Sequence, residues 1–183
     1  MAQDALDQLE LDHLVFVPAA VSPYKRAGAA VPGAVRLEML RRAVAGDLRF
    51  SVSDLELARG GVSYTIDTVS ALQEAHPDAD WVLLIGADNL EGLDRWHRAG
   101  DLLGLCEIAI FPRTGSENLE EIVQGLDFPS EQKQHLLDRV LKIRRIEISS
   151  SEIRARIRSA RSVRYLLPPE VEEMIAAQGF YRE

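Results

Sequence analysis

Trp81-Val82-Leu83-Leu84-Ile85-Gly86-Ala87-Asp88 is the stretch that decides the fold. Four aliphatic residues run between a tryptophan and a glycine. A strand with one wet face would alternate polar and apolar residues, so an unbroken run predicts a strand buried on both faces. Leu14-Val15-Phe16-Val17, stopped by Pro18, reads the same way, as does Ile108-Ala109-Ile110-Phe111, stopped by Pro112. Phe50 to Leu57 alternates as a strand would, and the run from Lys142 ends in a last strand at Arg144 to Ile148. Helical stretches separate these strands: Met1 to Leu9, Val35 to Ala45, Tyr64 to Glu74 with Ser63 as cap, a short helix begun by Asp88-Asn89, and Leu119 to Leu141 in two pieces around Pro129. Ser150 to Arg158 and Pro169 to Gln178, with Gly179 after it, complete the set. Alternating strands and helices with continuous apolar strands predict an α/β fold, a parallel sheet with helices on both faces.

Composition narrows the class. The chain has 183 residues, 46% hydrophobic and 27% charged, which predicts one globular domain over residues 1–183. A net charge of −8 argues against nucleic-acid binding through overall charge, though a local basic patch can still hold a small anion. No apolar run is long enough to span a membrane. Cys106 is the only cysteine and sits in an apolar run, so it reads as a small buried hydrophobe of a reducing compartment, which predicts a cytoplasmic protein. His13, His76, His97 and His135 are scattered, so no metal site is predicted.

Open parallel sheets bind ligands beyond the carboxyl ends of their strands. Lys25, Asp88, Arg113 and the serines Ser149, Ser150 and Ser151 all lie just past a predicted strand. In Ile148-Ser149-Ser150-Ser151-Glu152-Ile153-Arg154 three hydroxyls meet a helix start, whose free N–H groups and partial positive charge suit a phosphate. Arg154 adds a bidentate donor. The same pattern is a capping box, with Ser149 as cap and Glu152 three residues on, and the two readings are compatible. Gly86 directly after a strand admits a close approach, and Asp88 then suits a ribose hydroxyl; as plain structure, Asp88 is the N-cap of the next helix. Trp96 suits stacking on a planar ring, beside His97. Ser63-Tyr64-Thr65 offers hydroxyls and helix-start amides, and Lys25 stands on a Pro-restrained loop. No Walker sequence, Gly-x-Gly-x-x-Gly or nucleophile elbow is present.

Taken in order, these stretches resemble the nicotinate-nucleotide adenylyltransferase family. The resemblance rests on Val17-Pro18 through Ser22-Pro23-Tyr24-Lys25, Arg36-Leu37-Glu38-Met39-Leu40, Ser63-Tyr64-Thr65, Ile85-Gly86-Ala87-Asp88 with Trp96-His97, and Phe111-Pro112-Arg113-Thr114-Gly115. Ile148 to Arg154, Val163-Arg164-Tyr165-Leu166-Leu167-Pro168 and Gly179-Phe180-Tyr181 complete it. The serine motif is shared across related nucleotidyltransferases; Ser-Tyr-Thr and Gly-x-Asp with Trp-His point to the nicotinate-nucleotide branch.

The resemblance implies a Rossmann-like sheet and transfer of the adenylyl group of ATP, with Mg2+, to nicotinate mononucleotide, giving deamido-NAD and pyrophosphate. It implies ATP contacts at Gly86, Asp88, Arg113, Ser149, Ser150, Ser151 and Arg154. It implies mononucleotide contacts at Lys25, Tyr64, Thr65, Trp96 and His97. The family pattern opens with a strand, a Gly-Gly-x-Phe-Asp-Pro-x-His loop and a His-x-Gly-His pair. No two histidines here are spaced by three, and Met1 to Leu9 aligns with the back half of the first family helix. The expectation is a chain lacking the first family strand, on the order of 20 residues. No catalytic residue is identified in it. Ala19 and Tyr24 stand where many members have asparagine and histidine, both on the mononucleotide side; acid against amide on the pyridine ring also stays open. So do a homo-oligomer, a preference for nicotinamide mononucleotide, and a catalytically inactive nucleotide-binding module.

Overall fold

The computed structural model describes residues 1–23, 31–112, 118–142, 146 and 148–182. In chain order the first elements are α1 (Ala2–Gln8), β1 (Leu14–Phe16), α2 (Gly33–Val44), β2 (Phe50–Val52), α3 (Leu55–Arg59) and α4 (Thr65–Ala75). Next come β3 (Val82–Gly86), α5 (Ala99–Leu105), β4 (Glu107–Phe111), α6 (Leu119–Gly125), α7 (Ser130–Asp138), α8 (Ser150–Arg158) and α9 (Pro169–Gln178). The chain divides into two compact units, one of Met1–Leu11 and Tyr64–Glu147, the other of Asp12–Ser63 and Ile148–Glu183.

In the first unit β3 and β4 pair in parallel, with Val82 opposite Glu107 and Gly86 opposite Phe111. Side chains alternate across a strand, so each continuous apolar run supplies two faces. Leu83, Ile85, Ile108 and Ile110 pack with Val123 of α6 and Leu136 of α7. Val82, Leu84, Ala109 and Phe111 face the other way, against Ala5 of α1 and Leu141. Helices therefore cover both faces of this pair, as the unbroken apolar runs require. Beyond β4, Val140 makes a parallel bridge to Ile110, and the Leu141 N–H donates to the Ile110 carbonyl at 2.9 Å. The expected strand at Arg144 to Ile148 falls mostly on residues outside the described set; Ile146 and Ile148 are described and lie in no strand.

In the second unit β1 and β2 pair in parallel, Leu14 opposite Phe50 and Phe16 opposite Val52, with α2 as the crossover. Such a pair needs a crossover of a dozen or more residues, which the helix supplies. The expected strand from Phe50 to Leu57 is shorter than its alternation suggests. The Ser53 hydroxyl accepts from the Leu55 N–H at 3.3 Å, turning the chain after Val52, and α3 begins at Leu55. At the other end of this unit Gly179 closes α9 in the left-handed region, φ +69°.

Candidate functional site

Each unit brings together its own part of the predicted set. In the first unit β3 ends at Gly86, whose φ of −75° any residue can adopt. The glycine is there for space: a Cβ would run into the Asp88 carboxylate, and Asn89 Nδ2 lies 3.7 Å from the same position. The chain turns at once into a single 3-10 turn, Ala87–Asn89, capped by Gly86. Asp88 lies inside that turn, so it is not the N-cap. Its side chain is exposed and folds back over the end of β3. This puts a carboxylate at the carboxyl end of a parallel strand, where such sheets take ligands. Phe111, the partner of Gly86, ends β4. Arg113, two residues later, lies outside the described residues.

The same unit holds an aromatic cluster. Trp96 ends a 3-10 turn, Leu93–Arg95, in an extended conformation and packs half-buried against two apolar groups, one containing Leu90 and Leu93 and the other Ile66 and Leu102. Tyr64 joins the second of these groups as the N-cap of α4. The Tyr64 and His97 rings lie 4.3 Å apart with their planes tilted by 33°. His97 is exposed, and Tyr64 and Thr65 are half-buried. A phenol ring held by apolar packing, an exposed imidazole against it and a tryptophan next in sequence offer planar surface to a flat ring.

Ser63 does not cap α4. Its hydroxyl accepts from the Ala20 N–H at 2.9 Å, and its own N–H donates to the Val21 carbonyl at 2.8 Å. Ser63 thus ties the loop after β1, a pairing across 43 residues that local capping rules cannot reveal.

In the second unit α8 opens at Ser149, as the capping box predicts. The Ser149 hydroxyl accepts from the Glu152 N–H at 3.1 Å. Ser149, Ser150 and Ser151 are exposed. Arg154 folds back along the first turn, and its Nη2 donates to the Ser151 hydroxyl at 3.3 Å. Three hydroxyls, helix-start amides and a guanidinium therefore share one end of α8, an arrangement matched to a phosphate. Lys25 lies outside the described residues.

Two residues of this unit stand inside the matched stretches but carry no role from sequence alone. Arg36 of α2 donates from Nη2 to the Ala19 carbonyl at 2.6 Å. Tyr181, past the end of α9, donates its hydroxyl to Met39 Sδ at 4.0 Å. Burial pushes the Tyr181 phenol above its usual pKa, while the Arg154 and Arg36 charges pull it down. Spacing alone could not join them, because Met39 and Tyr181 are 142 residues apart. Elsewhere, burial raises the Cys106 thiol to about 11, partly offset by a backbone hydrogen bond at Leu83, so this thiol stays protonated. Cys106 is half-buried against the Ile66, Val69 and Leu102 group, less enclosed than the expected buried hydrophobe.

Among the described residues no group of three or more His, Cys, Asp or Glu side chains could hold a metal, and no helix is long and apolar enough to cross a membrane. A family model described as cytidylyltransferase-like matches residues 1–156, which defines the class as a nucleotidyltransferase. A Rhodopirellula baltica protein named "Probable nicotinate-nucleotide adenylyltransferase" is 38% identical over 183 residues, covering 100% of this chain and 85% of that protein. A Geobacter protein of the same name is 38% identical over 197 residues, covering 99% and 89%. The chain belongs to the nicotinate-nucleotide adenylyltransferase family. Its fold is also similar to that of the Plasmodium falciparum nicotinic acid mononucleotide adenylyltransferase solved with NaAD, at a TM-score of 0.68 and 15% identity, covering 99% of this chain and 90% of that one.

Proposed function

We propose that this chain transfers the adenylyl group of ATP to nicotinate mononucleotide, a step of NAD biosynthesis that gives deamido-NAD and pyrophosphate. The observation that carries the proposal is full-length similarity at 38% identity to relatives bearing that name. In the reaction a mononucleotide phosphate oxygen bonds to the α-phosphorus of ATP. The bond from that phosphorus to the β-bridging oxygen breaks, and pyrophosphate leaves with the electron pair. No covalent enzyme intermediate is needed, so the protein's task is alignment and neutralisation of charge.

The residues take roles suited to their chemistry. Ser149, Ser150, Ser151 and Arg154 bind ATP phosphates, supported by the open α8 start. Gly86 and Asp88 receive the ribose, and Arg113 serves the ATP side. Tyr64, Thr65, Trp96 and His97 take the pyridine nucleotide, with Lys25 toward its phosphate. Mg2+ arrives with ATP: this small ion keeps its waters and is usually held by substrate phosphates plus one or two carboxylates. Asp88 is the exposed carboxylate in this set. A cytoplasmic setting suits a single reduced cysteine and soluble substrates.

The test is direct. The purified chain is given MgATP and nicotinate mononucleotide, and deamido-NAD and pyrophosphate are measured, with nicotinamide mononucleotide as competitor. Equimolar release of both products supports the proposal, and better use of the amide corrects the acceptor. Nucleotide binding without turnover favours a binding module, a reading prompted by the absence of histidines spaced by three.

A further inference from the structure

Within the second unit the loop after β1 is gripped at a single peptide. The Ala19 carbonyl accepts from Arg36 Nη2 at 2.6 Å, and the Ala20 N–H donates to the Ser63 hydroxyl at 2.9 Å. Those two groups belong to one planar peptide unit, so holding both ends fixes its plane. The next carbonyl, of Val21, accepts from the Ser63 N–H at 2.8 Å, and Val21 bridges Val62 in parallel. Ser63 therefore holds neighbouring residues of the loop with its hydroxyl and its amide together.

Both holding groups are placed by the surrounding chain. Arg36 ends the first turn of α2, where a cation works against the helix dipole, so helix formation does not account for it. Its guanidinium lies close over Gly33: a Cβ there would stand 3.5 Å from Nη2 and run into the Leu57 side chain. Ser63 is 7% exposed, so losing its hydroxyl strips the Ala20 N–H of a sheltered partner. Gly60 and Gly61, at φ +68° and +69°, turn the chain out of α3 toward Val62 and Ser63. Ala19, Ala20 and Val21 have no polar side chain, so the loop works through its path. Pinning that path before a ligand arrives removes an ordering cost from binding, roughly ten-fold in affinity for one residue's backbone.

We infer that Ser63 and Arg36 are positioning residues that pre-set the loop from Ala19 to Val21 for the pyridine mononucleotide and not for ATP. The inference rests on the adenylyl-transfer reading, in which Lys25, four residues past Val21 in sequence, serves the mononucleotide phosphate. Ser63 and Arg36 act through the loop rather than on the substrate.

The experiment compares the wild type with Ser63→Ala, Ser63→Thr and Arg36→Met. It reads amide hydrogen exchange, saturation kinetics for both substrates, and calorimetry of nicotinate mononucleotide with a non-hydrolysable ATP analogue present and of that analogue alone. In Ser63→Ala the Ala20 amide should exchange faster while the amides of β1 keep their rates. Mononucleotide affinity and KM should worsen about five-fold, with KM for ATP and kcat within about two-fold of wild type. Arg36→Met keeps an apolar stem without the donor and should move the same readings the same way. Ser63→Thr keeps the hydroxyl and should restore them. Should Ser63→Ala fail to fold, Arg36→Met decides alone on the same readings. Faster exchange with unchanged mononucleotide affinity makes the clamp purely structural and overturns the inference. Wild-type exchange at Ala20, or equal loss for both nucleotides, also overturns it. A wild type that binds the mononucleotide without turnover sinks the reaction, while the affinity split still decides the inference. One that does not bind the mononucleotide overturns both.

Discussion

The aromatic cluster of the first unit and the serine-arginine start of α8 in the second are built by opposite physics. Tyr64 and Trp96 are held by apolar packing in the groups that contain Ile66, Leu90 and Leu102, and exposed His97 lies against the Tyr64 ring, so their geometry depends on the core. Arg154 and Ser149 to Ser151 are exposed or half-buried and held by hydrogen bonds among hydroxyls, main chain and guanidinium. Packing is indifferent to salt, whereas exposed charge is screened over about 8 Å at physiological ionic strength. One cluster thus reports on stability and the other on ionic conditions.

The largest expected effect breaks the first unit. Leu136 is 2% exposed beneath β3 and β4, so Leu136→Ala should cost about 2–5 kcal/mol in denaturant unfolding. Gly86→Val next drives a side chain into the Asp88 carboxylate. Displacing that group by about 1 Å should lower kcat/KM about 100-fold, with circular dichroism unchanged. Arg154→Ala removes a charge-assisted contact and should raise KM for ATP by about 1.5–3 kcal/mol of binding energy, less so at high salt. Unchanged ATP kinetics would remove Arg154 from the site. Ser149→Ala should cost about 0.5–2 kcal/mol through loss of its cap.

The smallest effect is a pH slope. The Cys106 thiol is raised in the folded state, from 9.0 to about 11. The unfolded chain therefore loses its proton first. The contribution is fully present below pH 9 and is lost as pH rises toward 11. Cys106→Ala should flatten the alkaline fall of stability in that window, and an identical slope would contradict it.

Much of the fold was legible because its signals are local. Ser149 with Glu152 located the start of α8, and Pro169 with Gly179 located both ends of α9, since caps are settled within one helical turn. The apolar runs located β3 and β4 and required cover on both faces. Ser63 misled because its partner, Ala20, is brought to it only by folding. Phe50 to Leu57 misled because alternation does not show where a side chain turns the backbone.

The sequence by itself determined the family, the run of elements and the residue types that meet phosphate and pyridine, because motifs and periodicity are properties of neighbours along a chain. The tertiary structure decided that Gly86 is there for space rather than for its backbone angle, that Asp88 lies within a turn rather than capping it, that Arg36 ties the Ala19 carbonyl and that Tyr181 reaches Met39. Those facts depend on atoms from distant segments occupying the same space, which no spacing along the chain records.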